Sequence, residues 1–354
     1  MDINPATPPP VGSIIDQMFG PAPLPPVRCG ENTTSVQQAV AQGTLGVGYS
    51  GSGLLLFYFI GVSKVLQQLG VIKPGTTKVA ATSGGIIGCA PDFGLIDHDT
   101  FLKVGKDFVT RCRNRNNCAG QLDSEVGRIM DIVLPPNAHE VLNGTAYIMY
   151  ATPNEQGAPI GEYVNTYESR DDLAEAIRTG TYLPMWSAPS MTRLFRGKRA
   201  YDGGFRRALP CPPDVTYCVT ASVLPPLDFN HLLRQLLEGK TMGILSKALR
   251  STLGGSPWQF LTQFVRANRG SGYKMEEIIM GAVAYSTAVN PGPGVHIYPG
   301  KYNPNPFPMW DWILKMVIPP TPEEVDIIVE MGVKDAEAWA REVGLSPLPL
   351  PVGR

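Results

Sequence analysis

The sequence has few histidines and no excess of charge of either sign. Its 354 residues include 4 histidines, and 30 Lys+Arg against 31 Asp+Glu give a net charge of -1. A protein that binds nucleic acid through its phosphates needs a basic surface, so the composition argues against a nucleic-acid partner. Charged residues make up 17% of the chain and hydrophobic residues 43%, which indicates a globular protein that works beside something apolar.

Long hydrophobic runs are also missing. The longest candidate, residues 54–62, is shorter than the roughly 18 apolar residues that a membrane-spanning helix needs. The chain begins Met1-Asp2-Ile3-Asn4-Pro5, where a signal peptide would carry a basic residue before an apolar stretch. We therefore expect a cytoplasmic protein without a membrane-spanning helix.

Cysteine is sparse, with 6 residues in the whole chain. Cys112 and Cys118 are close in sequence, as are Cys211 and Cys218, but neither spacing is typical of a metal site. Because an intracellular protein keeps its thiols reduced, we expect free cysteines rather than disulfides. We expect no metal and no cofactor.

The chain divides by composition into a central core and two proline-rich ends. Residues 1–40 read as a poorly ordered arm and residues 346–354 as a tail of the same kind. Residues 41–225 form the predicted core, and residues 226–345 a helical extension that packs on it. Predicted strands cover residues 45–50, 78–82, 146–151, 162–167, 215–222 and 295–298. Predicted helices cover residues 54–69, 171–178, 231–250, 256–268, 273–287 and 321–343.

Strands that alternate with helical stretches predict an α/β fold. Consecutive parallel strands need crossover connections, which are usually helices that cover both faces of the sheet. We therefore expect a mostly parallel central sheet between layers of helices.

A glycine-rich turn follows the first predicted strand. Residues 46–51 fit the pattern G-x-G-x-x-G, but the sequence has no acidic residue between Glu31 and Asp92 to bind a ribose, so a dinucleotide site is disfavoured. Gly51-Ser52-Gly53 leads directly into an apolar helix, where backbone N–H groups could hold an anion or a developing oxyanion. A simple tight turn is the structural alternative.

The most informative stretch is a strand that ends in a serine among small residues. Ala81 and Gly85 flank Ser83 at the spacing of G-x-S-x-G, with alanine for the first glycine. Such a turn exposes the serine hydroxyl and directs the N–H of Gly84 toward an oxyanion. The alternative is that Ser83 only caps a helix.

A nucleophilic serine needs a base, and the better candidate is a carboxylate. Asp202 is followed by Gly203 and Gly204, a bare backbone turn that another loop can approach closely. The alternative interpretation is an Asx turn. A Ser–His–Asp arrangement that uses His231 or His296 also stays open, because both follow Ser83 in the chain.

Taken together and in this order, these segments resemble the patatin-like phospholipase family, most closely its adipose triglyceride lipase branch. The resemblance covers roughly residues 45–223, with weaker similarity over 310–344. It rests on Ser50-Gly51-Ser52-Gly53, residues 61–66, the elbow at 81–85, residues 134–140, residues 182–186 and Asp202-Gly203-Gly204. Two departures are Leu55 and Leu56, where the family often has a basic residue and then glycine, and Ala81 in the elbow.

The resemblance implies a three-layer α/β/α sandwich and hydrolysis of glycerolipid carboxylic esters, in a phospholipid, galactolipid or acylglycerol. It implies a dyad of Ser83 as nucleophile and Asp202 as base, with no metal. Gly51, Ser52, Gly53 and Gly84 would then form the oxyanion hole, supported by Ala81, Gly85, Gly203 and Gly204. An acyltransferase with the same dyad and a catalytically silent lipid-binding protein are the alternatives.

Three further segments could meet lipid. Basic side chains surround Asp202 and could bind an anionic headgroup or simply be solvated: Arg193, Arg196, Lys198, Arg199, Arg206 and Arg207. Residues 307–317 are apolar and aromatic, and we favour core packing over an interfacial role. Residues 183–186 either line an acyl pocket or belong to the core.

Overall fold

The computed structural model describes residues 32–153, 159–184, 186–207, 209–225 and 294–345. This part of the chain has an α/β fold with seven strands in one mixed sheet. The strands are β1 (Leu45–Tyr49), β2 (Lys78–Thr82), β3 (Ala146–Pro153), β4 (Pro159–Val164), β5 (Arg193–Phe195), β6 (Lys198–Asp202) and β7 (Tyr217–Ala221). The helices are α1 (Val36–Gln42), α2 (Phe57–Gln68), α3 (Gly84–Gly88), α4 (His98–Arg113), α5 (Leu122–Val133), α6 (Ala138–Leu142), α7 (Arg170–Gly180), α8 (Met309–Leu314) and α9 (Pro322–Glu342).

Four strands form the parallel part of the sheet. β1 lies between β7 and β2, and β2 pairs in turn with β3, all in parallel register. All five residues of β1 are buried, as expected for a strand covered on both faces. The parallel strands predicted near residues 45–50, 78–82, 146–151 and 215–222 are therefore confirmed.

The prediction of a mostly parallel sheet is wrong in its outer part. β4 and β6 both pair antiparallel with β3, and β5 pairs antiparallel with β6. For β5 and β6 the reason is connection length: only Arg196 and Gly197 join them, and both have positive φ. The chain therefore turns back in a tight hairpin with no room for a crossover. The strand predicted at 295–298 is a single bridge between Ala221 and Ile297.

The C-terminal helix packs closely on the helix that follows the glycine-rich turn. α9 begins as predicted, with a capping box between Thr321 and Glu324. A Cβ on Gly61 would lie 2.0 Å from the Val329 carbonyl oxygen, and one on Gly332 would lie 2.1 Å from the Tyr58 carbonyl oxygen. α2 and α9 therefore touch backbone to backbone, and the described part of the C-terminal extension is fixed to the core.

The predicted boundaries at the N-terminus need correction. α1 lies partly within the stretch assigned to a poorly ordered arm, and Ser35 caps it. The Asn32 side chain also accepts a hydrogen bond of 3.0 Å from the backbone N–H of Cys218. Residues 1–31, residues 346–354, His231 and the helices predicted at 231–250, 256–268 and 273–287 lie outside the described residues.

The expectation of free thiols is wrong for four of the cysteines. Disulfides join Cys112 to Cys118 and Cys211 to Cys218, while Cys89 is a buried free thiol. The first pair forms because a short 3-10 turn after α4 brings the chain back on itself. Disulfides are rare in the cytosol, so these pairs disagree with the expected location. Within the described residues, no helix combines the length and apolar character that crossing a bilayer requires.

Candidate functional site

Ser83 lies on a strained turn between β2 and α3. Its backbone has φ 54° and ψ -138°, a combination that non-glycine residues rarely adopt. A Cβ on Gly85 would lie 2.3 Å from the carbonyl oxygen of Ser50, so a larger residue there would push the helix away from β1. The sequence prediction of a strand–serine–helix elbow is therefore confirmed as geometry.

The register of β3 brings the ends of β2 and β6 together. Thr82 pairs with Met149, and Asp202 pairs with the next residue, Tyr150. Both Met149 and Tyr150 also pair with β4, and a residue in a sheet has one partner on each edge. β2 and β6 therefore share the opposite edge of β3, and their carboxyl ends face each other.

The end of α7 and the residues directly after it hold both strand ends in place. The backbone N–H of Ser83 donates to the Gly180 carbonyl at 3.1 Å, and the N–H of Asp202 donates to the Tyr182 carbonyl at 2.9 Å. Ser83 and Asp202 therefore depend on one short segment for their relative position. Sequence reasoning missed Gly180 in this role, and it gave no signal that Met149 and Tyr150 set the register.

The Asp202 carboxyl group is fully buried beside Ser83. Its Oδ1 accepts a 2.7 Å hydrogen bond from the N–H of Gly204, whereas Oδ2 has no hydrogen bond of ordinary geometry within the described residues. Burial raises the pKa of Asp202 to about 7, and contacts with the Ser83 hydroxyl and the Gly204 N–H offset part of that rise. A carboxylate with a pKa near neutrality is a far better base than an exposed aspartate.

Gly203 is required by the same close approach. A Cβ on Gly203 would lie 2.4 Å from the carbonyl oxygen of Met149. The Asp202-Gly203-Gly204 turn therefore lies against the end of β3, which requires glycine at position 203. The Asx-turn alternative is also confirmed, because Asp202 Oδ1 accepts the N–H of Gly204.

The glycine-rich turn packs directly against the elbow. A Cβ on Gly84 would lie 2.3 Å from the Gly53 carbonyl oxygen and 3.0 Å from the Gly53 nitrogen. The N–H groups of the four residues predicted for the oxyanion hole donate no hydrogen bond to any group in the described part of the chain. Gly53 and Gly84 line the cavity beside Ser83, whereas Gly51 and Ser52 are absent from its described lining. The geometry therefore favours Gly53 and Gly84 as the donors.

The dinucleotide pattern has no structural counterpart. Gly46 and Gly48 lie inside β1, not in a turn. A Cβ on Gly48 would lie 2.1 Å from the Pro210 carbonyl oxygen, which shows that this glycine serves close backbone packing.

The C-terminal region supports the glycine-rich turn, which the sequence did not reveal. The carbonyl of Met316 accepts a 2.9 Å hydrogen bond from the N–H of Leu54. A Cβ on Gly53 would lie 2.1 Å from that carbonyl oxygen, and Gly53 has φ 52°. Trp312 is fully buried and donates to the Val223 carbonyl at 2.6 Å. The core interpretation of residues 307–317 is therefore correct for Trp312 and Met316.

A small apolar cavity of about 30 Å³ adjoins Ser83. Leu183 and Trp186 belong to its lining, so these two residues line a cavity, and its use for an acyl group stays a prediction. The other side chains come from the segment after the glycine-rich turn, α3, α4, α5, the end of α7 and the C-terminal region: Leu54, Leu56, Ile87, Phe108, Leu122, Val126, Thr181, Met316 and Val317.

Three of the six basic residues that flank Asp202 in sequence form ion pairs. Arg193 pairs with Asp123 at 2.7 Å and Arg196 with Asp172 at 2.5 Å. Lys198 lies 3.4 Å from Glu162, and Arg207 donates to the Tyr163 hydroxyl at 2.7 Å. The ion pairs neutralise half of these six charges, which favours a structural role for Arg193, Arg196 and Lys198. Arg199 is exposed and Arg206 half-buried.

Two of the described histidines, His98 and His296, have hydrogen-bond partners of their own. His296 is 2.7 Å from the Thr220 hydroxyl and 3.3 Å from the Tyr217 hydroxyl, and burial lowers its pKa to about 4. His98 lies 2.9 Å from the hydroxyl of Ser63. These contacts disfavour a triad through His296. Among the described residues, no group of three or more His, Cys, Asp or Glu side chains is arranged to hold a metal ion.

No protein-family model matches the chain, and no curated protein is significantly similar to it.

Proposed function

We propose that the protein is a serine hydrolase that cleaves carboxylic esters of glycerolipids, with Ser83 as nucleophile and Asp202 as base. The observation that carries the proposal is the meeting of β2 and β6 on one edge of β3, which puts a strained serine beside a buried carboxylate. A serine that only caps a helix needs neither a strained backbone nor a buried carboxylate beside it.

The proposed reaction has two half-reactions. Ser83 Oγ attacks the ester carbonyl carbon while Asp202 takes the hydroxyl proton, and the N–H groups of Gly53 and Gly84 stabilise the oxyanion. The tetrahedral intermediate then expels the alcohol, which receives the proton from Asp202. Water attacks the acyl-enzyme with Asp202 again as base, and collapse of the second intermediate releases the fatty acid and restores Ser83.

The apolar cavity supports an acyl group as the part of the substrate nearest Ser83. Transfer of a methylene chain from water to such a lining is favourable, whereas a sugar or peptide would lose its hydrogen bonds to water there. We propose an acyl lipid at a membrane or lipid-droplet surface as substrate. A three-layer patatin-like sandwich is the fold we propose for the complete chain.

Labelling with a fluorophosphonate probe and hydrolysis of 4-nitrophenyl butyrate together test the proposal. Wild type should be labelled and active, Ser83→Ala should lose both, and Asp202→Asn should lose hydrolysis. Ser124→Ala and Asp171→Asn are the controls, because both residues are exposed in helices and distant in sequence from the dyad. Full activity in folded Ser83→Ala, or no labelling of wild type, would refute the assignment and favour a silent lipid-binding protein.

A further inference from the structure

A second apolar cavity of about 30 Å³, called the inner cavity because it adjoins strands of the central sheet, lies on another side of α3. It is enclosed by residues of β2, β3 and several helices, including Ala81, Ile148 and Met130. Its described lining contains no charged side chain. Water finds few hydrogen-bond partners in such a space, whereas methylene groups need none.

Ile87 is the residue that the two cavities share. It lines the cavity beside Ser83 and also the inner cavity, and it is 5% exposed. It lies on α3, four residues after the serine, so its position relative to Ser83 is fixed by the elbow.

One face of α5 runs along both cavities. Leu122 and Val126 line the cavity beside Ser83, whereas Met130 and Val133 line the inner one. Steps of four, four and three residues keep these side chains on one face of the helix. At 1.5 Å per residue the row extends for about 16 Å, which is enough for a medium-length acyl chain to lie along it.

We propose that the inner cavity is an extension of the acyl-binding site and that Ile87 limits the length of acyl chain that the enzyme accepts. This inference rests on the proposed function, since it concerns the acyl group of the same ester. In wild type, the Ile87 side chain separates the cavities, and only the first carbons of the chain are accommodated beside Ser83. Removal of that side chain joins them.

Chain-length preference tests the inference. The ratio of kcat/KM for 4-nitrophenyl decanoate to that for the butyrate should rise about tenfold in Ile87→Ala. Each newly buried methylene is worth about a fourfold change, and the space of the lost side chain admits about two of them. Ile87→Val should give a smaller rise with less risk to folding. Adding Val133→Phe to Ile87→Ala should reverse the gain by filling the inner cavity.

Ile129→Ala is the matched control. Ile129 is a buried isoleucine of α5 that lines neither cavity, so its loss removes the same side chain without joining the cavities. An unchanged ratio in folded Ile87→Ala and Ile87→Val that still hydrolyse butyrate would overturn the inference and leave the proposed function intact.

A binding measurement separates the two failures. If wild type hydrolyses no butyrate, the proposed function fails, and calorimetry with decanoic acid then decides the cavity. Tighter binding to Ile87→Ala than to wild type or Ile129→Ala supports an acyl site behind Ile87, whereas equal binding overturns it.

Discussion

Ser83 and Asp202 are held by the same turn of chain: their backbone N–H groups donate to the carbonyls of Gly180 and Tyr182. The end of α7 therefore sets the distance between the proposed nucleophile and base. The pairing of Thr82 and Asp202 with consecutive residues of β3 fixes the same distance from the other side. Proton transfer from Ser83 to Asp202 requires the two side chains to stay within hydrogen-bond distance, and these two constraints keep them there.

The first prediction concerns Gly180. A Cβ there would lie 2.5 Å from Ile86 Cδ1 and 2.9 Å from the Met149 carbonyl oxygen, so Gly180→Ala should displace the turn that holds Ser83. We expect kcat for 4-nitrophenyl butyrate to fall at least about tenfold, since misplacement by about 1 Å can cost 10²-fold. Circular dichroism should show a folded protein.

Gly127→Ala is the control for that change. Its Cβ would have no neighbour closer than 3.7 Å, the Nε of Arg178, so activity should stay at the wild-type level. Equal activity of Gly180→Ala and Gly127→Ala would show that the Gly180 turn does not position the site.

A second prediction concerns the oxyanion donor Gly53. Gly53→Ala would bring a Cβ within 2.1 Å of the Met316 carbonyl oxygen at a positive φ. We expect kcat/KM to fall by about 10²-fold, the usual order for loss of one oxyanion donor. Gly43→Ala distinguishes the effect of backbone strain from that of a steric clash. Gly43 also has positive φ, but nothing lies within 4 Å of a Cβ placed there. Its cost should be about 1 kcal/mol of stability with no loss of activity, and an equal loss in both variants would argue against the assignment.

Sequence reasoning found the segments of this site but not what aligns them. The elbow at Ser83 and the turn after Asp202 were predictable because each needs small residues at fixed spacing. The supporting groups were not predictable, since Gly180, Met149 and Met316 act through backbone atoms that any residue carries. Antiparallel β6 was missed for a similar reason: its pairing depends on a two-residue hairpin and a free stretch of one edge of β3.

A third prediction follows from the ionisation of Asp202. Burial raises its pKa to about 7, and only the carboxylate can accept the Ser83 proton. The rate of butyrate hydrolysis should therefore rise as pH increases from 5 to 8, with an apparent pKa near 7 in the kcat/KM profile. A profile already flat from pH 5 upward would show that another group is the base.

The last prediction is that removal of the Asp202 charge makes the protein more stable. The folded-state pKa of Asp202 is raised above its unfolded value near 3.9, so the native state binds the proton more tightly than the unfolded state does. The stability that this group contributes is therefore full below about pH 4 and is lost as pH rises through about 7. Each pKa unit corresponds to about 1.4 kcal/mol, so ionised Asp202 destabilises the fold at pH 8 by a few kcal/mol.

Asn has the shape of aspartate without the charge, and it retains an acceptor for the Gly204 N–H. Asp202→Asn should therefore be more stable than wild type at pH 8, and this advantage should shrink at pH 5. Urea unfolding of both proteins at the two pH values measures it. Asp92, another buried carboxyl whose pKa burial raises to about 6, gives the same slope to both proteins and cancels in the difference. An advantage that is absent at pH 8, or equal at both pH values, would mean that Asp202 is not the buried base of raised pKa on which the proposed chemistry depends.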